Sequence, residues 1–162
     1  MRAATLLTCS LFPLLLLLGR VPEETVPTTR VNVKLIDAQT GRELPGLVRV
    51  TTARGTPVTP PELLGRGLGV PDQPRINDWS VLPRATTITL PATTVRIEAI
   101  SGLETERTST RVTLSGPASP PLVLKLDRFY SAAEHGLKSA NTHLHLMKIS
   151  RKQCDQYLRE VP

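Results

Sequence analysis

Two histidines near the end of the chain have the residue type and spacing best suited to chemistry. His143 and His145 lie in residues 139–147, SANTHLHLM, where polar and apolar residues alternate as in a β-strand. Side chains two positions apart on a strand project from the same face, so both imidazoles can reach one ion. Because imidazole is the commonest metal ligand in proteins, the pair predicts a metal site. The alternative is a half-exposed strand with two polar residues on its solvent face.

A hydrolytic metal site needs more than these two residues. Such a site has about three protein ligands and an open position for water. No histidine follows His145, and Asp155 and Glu160 fall on a predicted helix. No motif pairs Cys154 with a histidine base, and no serine or paired-carboxylate constellation suggests another hydrolytic mechanism. We therefore expect no catalytic residue and no tightly bound metal in the chain as given, and the substrate-binding residues stay unidentified.

The elements around the histidines are short. Residues 130–135 can form a helical turn that Gly136 ends. Ser150 and Gln153 have the spacing of a capping box, which predicts a helix over residues 151–159. Together with the histidine strand, residues 128–162 are therefore predicted to form a βα unit.

The chain before this tail alternates in the pattern of β-strands. Aromatic residues make up only 3%, so the core must consist of Val, Leu and Ile. Short strands separated by turn residues over about 100 residues predict a mainly β fold, an immunoglobulin-like or transthyretin-like β-sandwich over residues 31–127. Residues 56–75 contain five prolines and three glycines and are predicted to form a long surface loop. The predicted strands are residues 31–37, 47–52, 79–82, 87–90, 94–100, 108–114 and 122–126.

The first residues have the composition of an export signal. Arg2 precedes a largely apolar stretch, residues 3–19, which is too short for a comfortable membrane span. Residues 1–24 are predicted to be a signal peptide and 25–30 a linker, which places the protein in the periplasm or outside the cell. The alternative is an uncleaved signal that anchors the chain in the membrane.

The charge pattern argues against nucleic acid as a partner. The net charge is +6 with a sequence pI near 9.9. The arginines are scattered without a basic run, and few aromatic residues lie between them. Nucleic-acid-binding surfaces combine clustered basic residues with recognisable motifs, so we predict that nucleic acid does not bind.

Residues 136–146, GLKSANTHLHL, resemble the opening of the catalytic barrel in PHP-type metallohydrolases, most closely the CehA/McbA-like group of secreted bacterial proteins. The resemblance implies that His143 and His145 are ligands of a divalent metal (zinc, manganese or iron in a complete relative) that activates water against a phosphoester. Asn141 stands where an aspartate is frequent in the family. Since such barrels run to about 200 residues or more, the resemblance also implies that 128–162 is a truncated first βα unit and that a C-terminal barrel is missing.

The upstream region has its own resemblance. Residues 36–45, IDAQTGRELP, and 90–99, LPATTVRIEA, are similar to carboxypeptidase-regulatory-like, transthyretin-like modules, which precede such barrels. The two resemblances imply an accessory β-sandwich joined to the start of a phosphoesterase-like metal-dependent hydrolase, not catalytically competent in this form. The alternative is a non-enzymatic secreted module that binds carbohydrate or protein, with Trp79 as a candidate for stacking on a sugar.

Overall fold

The computed structural model of the chain describes residues 26–70, 73–138 and 148–160. Its helices are α1 (Pro74–Asn77), a 3-10 helix (Ala133–His135) and α2 (Arg151–Glu160). Its strands are β1 (Thr28–Asp37), β2 (Gly46–Thr52), β3 (Pro57–Val58), β4 (Leu64–Gly65), β5 (Trp79–Leu82), β6 (Thr86–Pro91), β7 (Thr94–Ile100), β8 (Thr108–Thr113) and β9 (Leu122–Leu126).

The strands form two sheets. In the smaller sheet, β1 lies between β6, to which it is antiparallel, and β9, to which it is parallel. The larger sheet has the order β4-β5-β2-β7-β8, with β3 also paired to β2, and all its pairs are antiparallel. The predicted mainly β sandwich is confirmed, and the short C-terminal helix is present.

The core lies between the two sheets because alternate residues of each strand point inward. Val33 and Leu35 of β1 and Ile97 of β7 are fully buried. The aliphatic composition expected from the scarcity of aromatic residues is observed. The buried cluster in the described part of the chain comprises Val31, Val33, Leu35, Val48, Val50, Leu82, Ile88, Leu90, Val95, Ile97, Ala99, Leu114, Leu124 and Leu126.

The start of the sandwich differs from the sequence-based expectation. Residues 28–30, predicted as linker, belong to β1, where they pair with the end of β6 and Thr29 is buried. Pairing satisfies their backbone hydrogen-bonding groups, which a linker leaves to water. The predicted signal peptide, residues 1–24, lies outside the described residues. None of the helices within residues 26–70, 73–138 and 148–160 is long and apolar enough to cross a membrane.

The long connection between β2 and β5 is more ordered than its composition predicts. It contains β3, β4 and α1. Gly67 is buried, and its backbone lies so close to the side chain of Asn77 that no Cβ fits between them. The prediction of a surface loop was therefore wrong for this part of the connection, which packs against the larger sheet.

Candidate functional site

The two predicted metal ligands, His143 and His145, lie outside the described residues, as does Asn141. The structure does describe the chain up to Lys138 and again from Lys148. The candidate site is therefore characterised by the contacts of the described residues on either side of residues 139–147.

The chain before the histidine segment is attached to the sandwich by Arg128. Its Nε donates a hydrogen bond to Oδ2 of Asp37 at 3.1 Å, and its Nη1 pairs with Oε2 of Glu104. The Asp37 side chain is only 6% exposed, so the ion pair is largely shielded from water. Charge-assisted hydrogen bonds of this kind are stronger than neutral ones. Arg128 thus joins the end of β1 to the connection between β7 and β8.

Asp37 also organises the turn that follows β1. Its Oδ1 accepts hydrogen bonds from the backbone amides of Gln39 and Thr40, both at 3.0 Å. The turn continues to Gly41, whose φ of 69° is in the left-handed region that favours glycine. The Thr40 amide, followed by the Arg128 guanidinium, lowers the pKa of Asp37 to about 2. The carboxylate therefore stays ionised well below neutral pH.

Glu104 also binds the backbone of the residues that precede the histidine segment. Its Oε1 accepts a hydrogen bond from the amide of Ala132 at 3.2 Å. The 3-10 helix starts at the next residue and ends at Gly136, whose φ is 69°. The predicted helical turn and its glycine stop are confirmed. His135 stacks on Tyr130 with ring centroids 5.0 Å apart, which supports a structural role for this histidine.

The acid stability of the protein is expected to depend on Asp37. Its pKa falls from 3.8 to about 2 on folding, so ionised Asp37 stabilises the folded state at neutral pH. This contribution is lost as the pH falls from 3.8 towards 2. Asp37→Asn is therefore expected to unfold at lower urea concentration than wild type at pH 7, with a difference that shrinks below pH 4. Asp127→Asn, at an exposed position beside Arg128, is the control. The prediction is contradicted if the difference in urea unfolding midpoint between wild type and Asp37→Asn is the same at pH 7 and below pH 4.

The chain after the histidine segment is attached through α2. Ser150 and Gln153 form the predicted capping box: the Ser150 amide donates to Gln153 Oε1 at 2.9 Å, and the Gln153 amide donates to Ser150 Oγ at 3.3 Å. The helix begins at Arg151, as predicted. A capping box joins residues only three positions apart, so it can be recognised from the sequence alone.

Tyr157 holds α2 on the outer face of the larger sheet, the face that points away from the main core. It is 5% exposed and packs with Leu64 of β4 and Val81 of β5. Its hydroxyl accepts a hydrogen bond from Arg66 Nη1 at 2.7 Å, and the Arg66 guanidinium lies 5.9 Å from the ring centroid. Sequence reasoning missed this contact, although Cys154, Tyr157 and Leu158 have the spacing of an apolar helix face.

Lys148, the first described residue after the histidine segment, lies against the same region. Its φ is 59°, in the left-handed region, and it lines a cavity of about 410 Å³ with Gly65, Leu68 and Asn77. The residues before and after the segment that carries the predicted ligands are thus both held on the sandwich.

Trp79, the candidate for sugar stacking, lies half-buried on the outer face rather than in the main core. The Arg49 guanidinium covers its ring at 5.0 Å from the centroid. Arg49 also donates from Nε to Glu98 Oε2 at 2.8 Å, and Arg107 pairs with the other Glu98 oxygen at 3.6 Å. One ring face of the tryptophan is therefore occupied by a protein side chain and is closed to a sugar.

Within the described ranges, no group of three or more His, Cys, Asp or Glu side chains is placed to hold a metal ion. No protein-family model matches the chain, and the search of curated proteins found no match. The resemblance of residues 136–146 to PHP-type metallohydrolases therefore rests on those residues themselves and stays a prediction.

Proposed function

We propose that the β-sandwich is the accessory module of an exported metal-dependent hydrolase of PHP type, and that His143 and His145 are two ligands of its divalent metal. The observation that carries the proposal is the sequence of residues 136–146, GLKSANTHLHL, and it is supported by contacts with the sandwich on both sides of residues 139–147. Arg128 and Glu104 hold the chain before this segment, and Tyr157 holds the helix after it. The composition of residues 1–24 supports export.

The attachment has a physical consequence for metal binding. Fixing the backbone of one residue costs about 1–2 kcal/mol of conformational entropy. A ligand segment whose ends are already held loses less freedom when a metal binds, so more of the coordination energy appears as affinity. In this proposal the sandwich contributes to hydrolysis by restraining the ligand segment and makes no contact with the reacting groups.

The donor set suits two of the three metals that the resemblance implies. Imidazole is a favoured ligand of zinc and iron, whereas manganese prefers carboxylate and water oxygens. When bound, such a metal polarises substrate and lowers the pKa of water. Hydrolysis needs at least one further ligand, which in this proposal belongs to the barrel that follows the first βα unit. With only these two ligands, this chain is therefore expected to bind metal weakly and to hydrolyse no substrate.

Zinc binding is the test of this proposal. Isothermal titration with zinc is expected to show weak but measurable binding to the chain that lacks residues 1–24. The double variant His143→Ala/His145→Ala is expected to bind zinc at least about tenfold more weakly, because both imidazole ligands are removed.

His135→Ala is the matched control, since His135 stacks on Tyr130 and is not a proposed ligand. It is expected to bind zinc as wild type does. Equal zinc affinity in the double variant and wild type, or binding by neither, overturns the proposal.

A further inference from the structure

Three arginines surround one cavity on the outer face of the larger sheet. The cavity has a volume of about 340 Å³ and lies between the β2–β3 turn and strands β7 and β8. Tyr157 packs near Leu47, and Thr51 lies four residues further along β2, about 13 Å away at the rise of a strand. The cavity is therefore separate from the surface that holds α2. Its polar lining comprises Thr51, Thr52, Arg54, Thr94, Arg96 and Arg111.

Strand register places two of these arginines against each other. Arg96 of β7 is directly opposite Arg111 of β8, and Thr51 of β2 is opposite Arg96 on its other side. Both arginines are exposed. Like charges directly opposite each other on neighbouring strands destabilise a sheet. A ligand that carries negative charge would relieve this repulsion.

The third arginine is held by an ordered turn. Arg54 lies at the tip of the hairpin between β2 and β3, where the Gly55 amide donates to the Thr52 carbonyl at 2.9 Å. The Thr56 amide donates to Thr52 Oγ1 at 3.2 Å. Gly55 has a φ of 82°, which the turn requires. The backbone that carries Arg54 is thus fixed beside the other two arginines.

Among the described residues, no carboxylate forms an ion pair with these three arginines. None of the residues that line the cavity is acidic, and none of the ion pairs in the described part of the chain includes Arg54, Arg96 or Arg111. The nearest glutamate along β7, Glu98, already pairs with Arg49 and Arg107. The cavity therefore combines three positive charges with threonine hydroxyl groups.

The size and lining of the cavity define the class of ligand. Guanidinium groups bind phosphate and sulfate oxygens through paired hydrogen bonds, which suits them to tetrahedral anions. A volume of about 340 Å³ is at the small end for ligand pockets and accommodates one compact group. No aromatic side chain lines the cavity, so it lacks the surfaces on which nucleic-acid bases stack.

From this geometry we infer that the cavity between Arg54, Arg96 and Arg111 binds a tetrahedral oxyanion, the phosphate or sulfate group of a small ester. The inference does not depend on the metal site, because it uses none of residues 128–162. The inference gives the β-sandwich a ligand-binding site of its own.

Titration calorimetry of the chain lacking residues 1–24 tests this, with glucose 6-phosphate and glucose 6-sulfate as probes in chloride buffer. The double variant Arg96→Gln/Arg111→Gln is expected to bind at least about tenfold more weakly, since each charged hydrogen bond contributes over 1.4 kcal/mol, about a factor of ten. The variant is expected to fold, because the substitution removes a repulsion between exposed side chains. Its urea midpoint checks this.

Arg84→Gln/Arg75→Gln is the matched control, since it removes two exposed arginines that do not line the cavity. Tighter binding of one ester than of the other supports the inference and shows whether the ligand carries phosphate or sulfate. Equal loss of binding in both double variants indicates non-specific attraction by net charge and overturns it. Absence of binding to either ester in wild type also overturns it, as does tighter binding of a single-stranded oligonucleotide than of both esters.

Discussion

The Tyr157→Ala variant is expected to release α2 from the sandwich while the two sheets stay folded. Tyr157 is the buried residue of this helix, and truncating a buried aromatic side chain costs about 3–5 kcal/mol. Because α2 lies outside the main core, the loss is expected as local unfolding. Backbone amides of residues 151–160 should therefore lose their protection against hydrogen exchange, while those of β1 and β7 retain theirs.

Two further variants separate packing from the hydrogen bond. Tyr157→Phe keeps the ring and loses the charge-assisted bond from Arg66, so a loss of about 1.5–3 kcal/mol is expected. Leu158→Ala, at a position that is 44% exposed on the same helix, is the control and is expected to change stability by about 0.5 kcal/mol or less. Unchanged exchange of α2 amides in Tyr157→Ala contradicts the assignment of Tyr157 as the anchor.

The same variant connects the fold to the proposed metal site. If α2 restrains the histidine segment, Tyr157→Ala should weaken zinc binding although both imidazoles are present. Leu158→Ala should leave the zinc affinity unchanged. If Tyr157→Ala binds zinc as tightly as wild type although its α2 amides have lost their protection, the sandwich does not support the site.

Gly46→Ala is expected to destabilise the whole sandwich. Gly46 starts β2, and an added Cβ would overlap the carbonyl oxygen of Ile100 and lie 2.7 Å from Cδ1 of Leu35. The first contact is with the backbone of β7 and the second with a fully buried side chain of the other sheet. Neither neighbour can move without disturbing strand pairing or the core, so a loss of about 1–3 kcal/mol is expected.

Gly65→Ala is the control for this substitution, because no described residue other than its chain neighbours has an atom within 4 Å of a Cβ added at Gly65. It is expected to change stability by about 0.5 kcal/mol or less. The measurement is the urea unfolding midpoint at constant slope, which separates altered stability from altered compactness of the unfolded state. Equal midpoints for the two variants contradict the predicted close packing at the start of β2.

Local patterns predicted the individual elements well. β5, β7 and β9 have the predicted bounds, and the capping box of α2 is formed as expected. Each depends on residues within a few positions of one another, so periodicity and capping chemistry reveal them. The histidine pair is also a local pattern, but its residues lie outside the described structure and its function stays a prediction.

The surroundings of the candidate site were not predictable in the same way. Arg128 contacts Asp37 from 91 positions away, and Arg66 and Tyr157 are equally far apart in the chain. Trp79, the sequence-based candidate for sugar stacking, faces away from the main core because β5 pairs with β2 in the register that sets Trp79 opposite Arg49. A one-residue shift of that register would move the Trp79 side chain to the other face of the sheet.

The amino-acid sequence by itself determined that this chain is a β protein with an aliphatic core, short strands, a capped terminal helix and two histidines at strand spacing. Only the tertiary structure decided that β1 lies between β6 and β9, that α2 lies on the outer face of the larger sheet, and that Arg96 opposes Arg111. The reason is physical: alternation and capping depend on interactions between residues that are near neighbours in the chain. Strand order and register depend on contacts between distant segments, which exist only once the two sheets have packed.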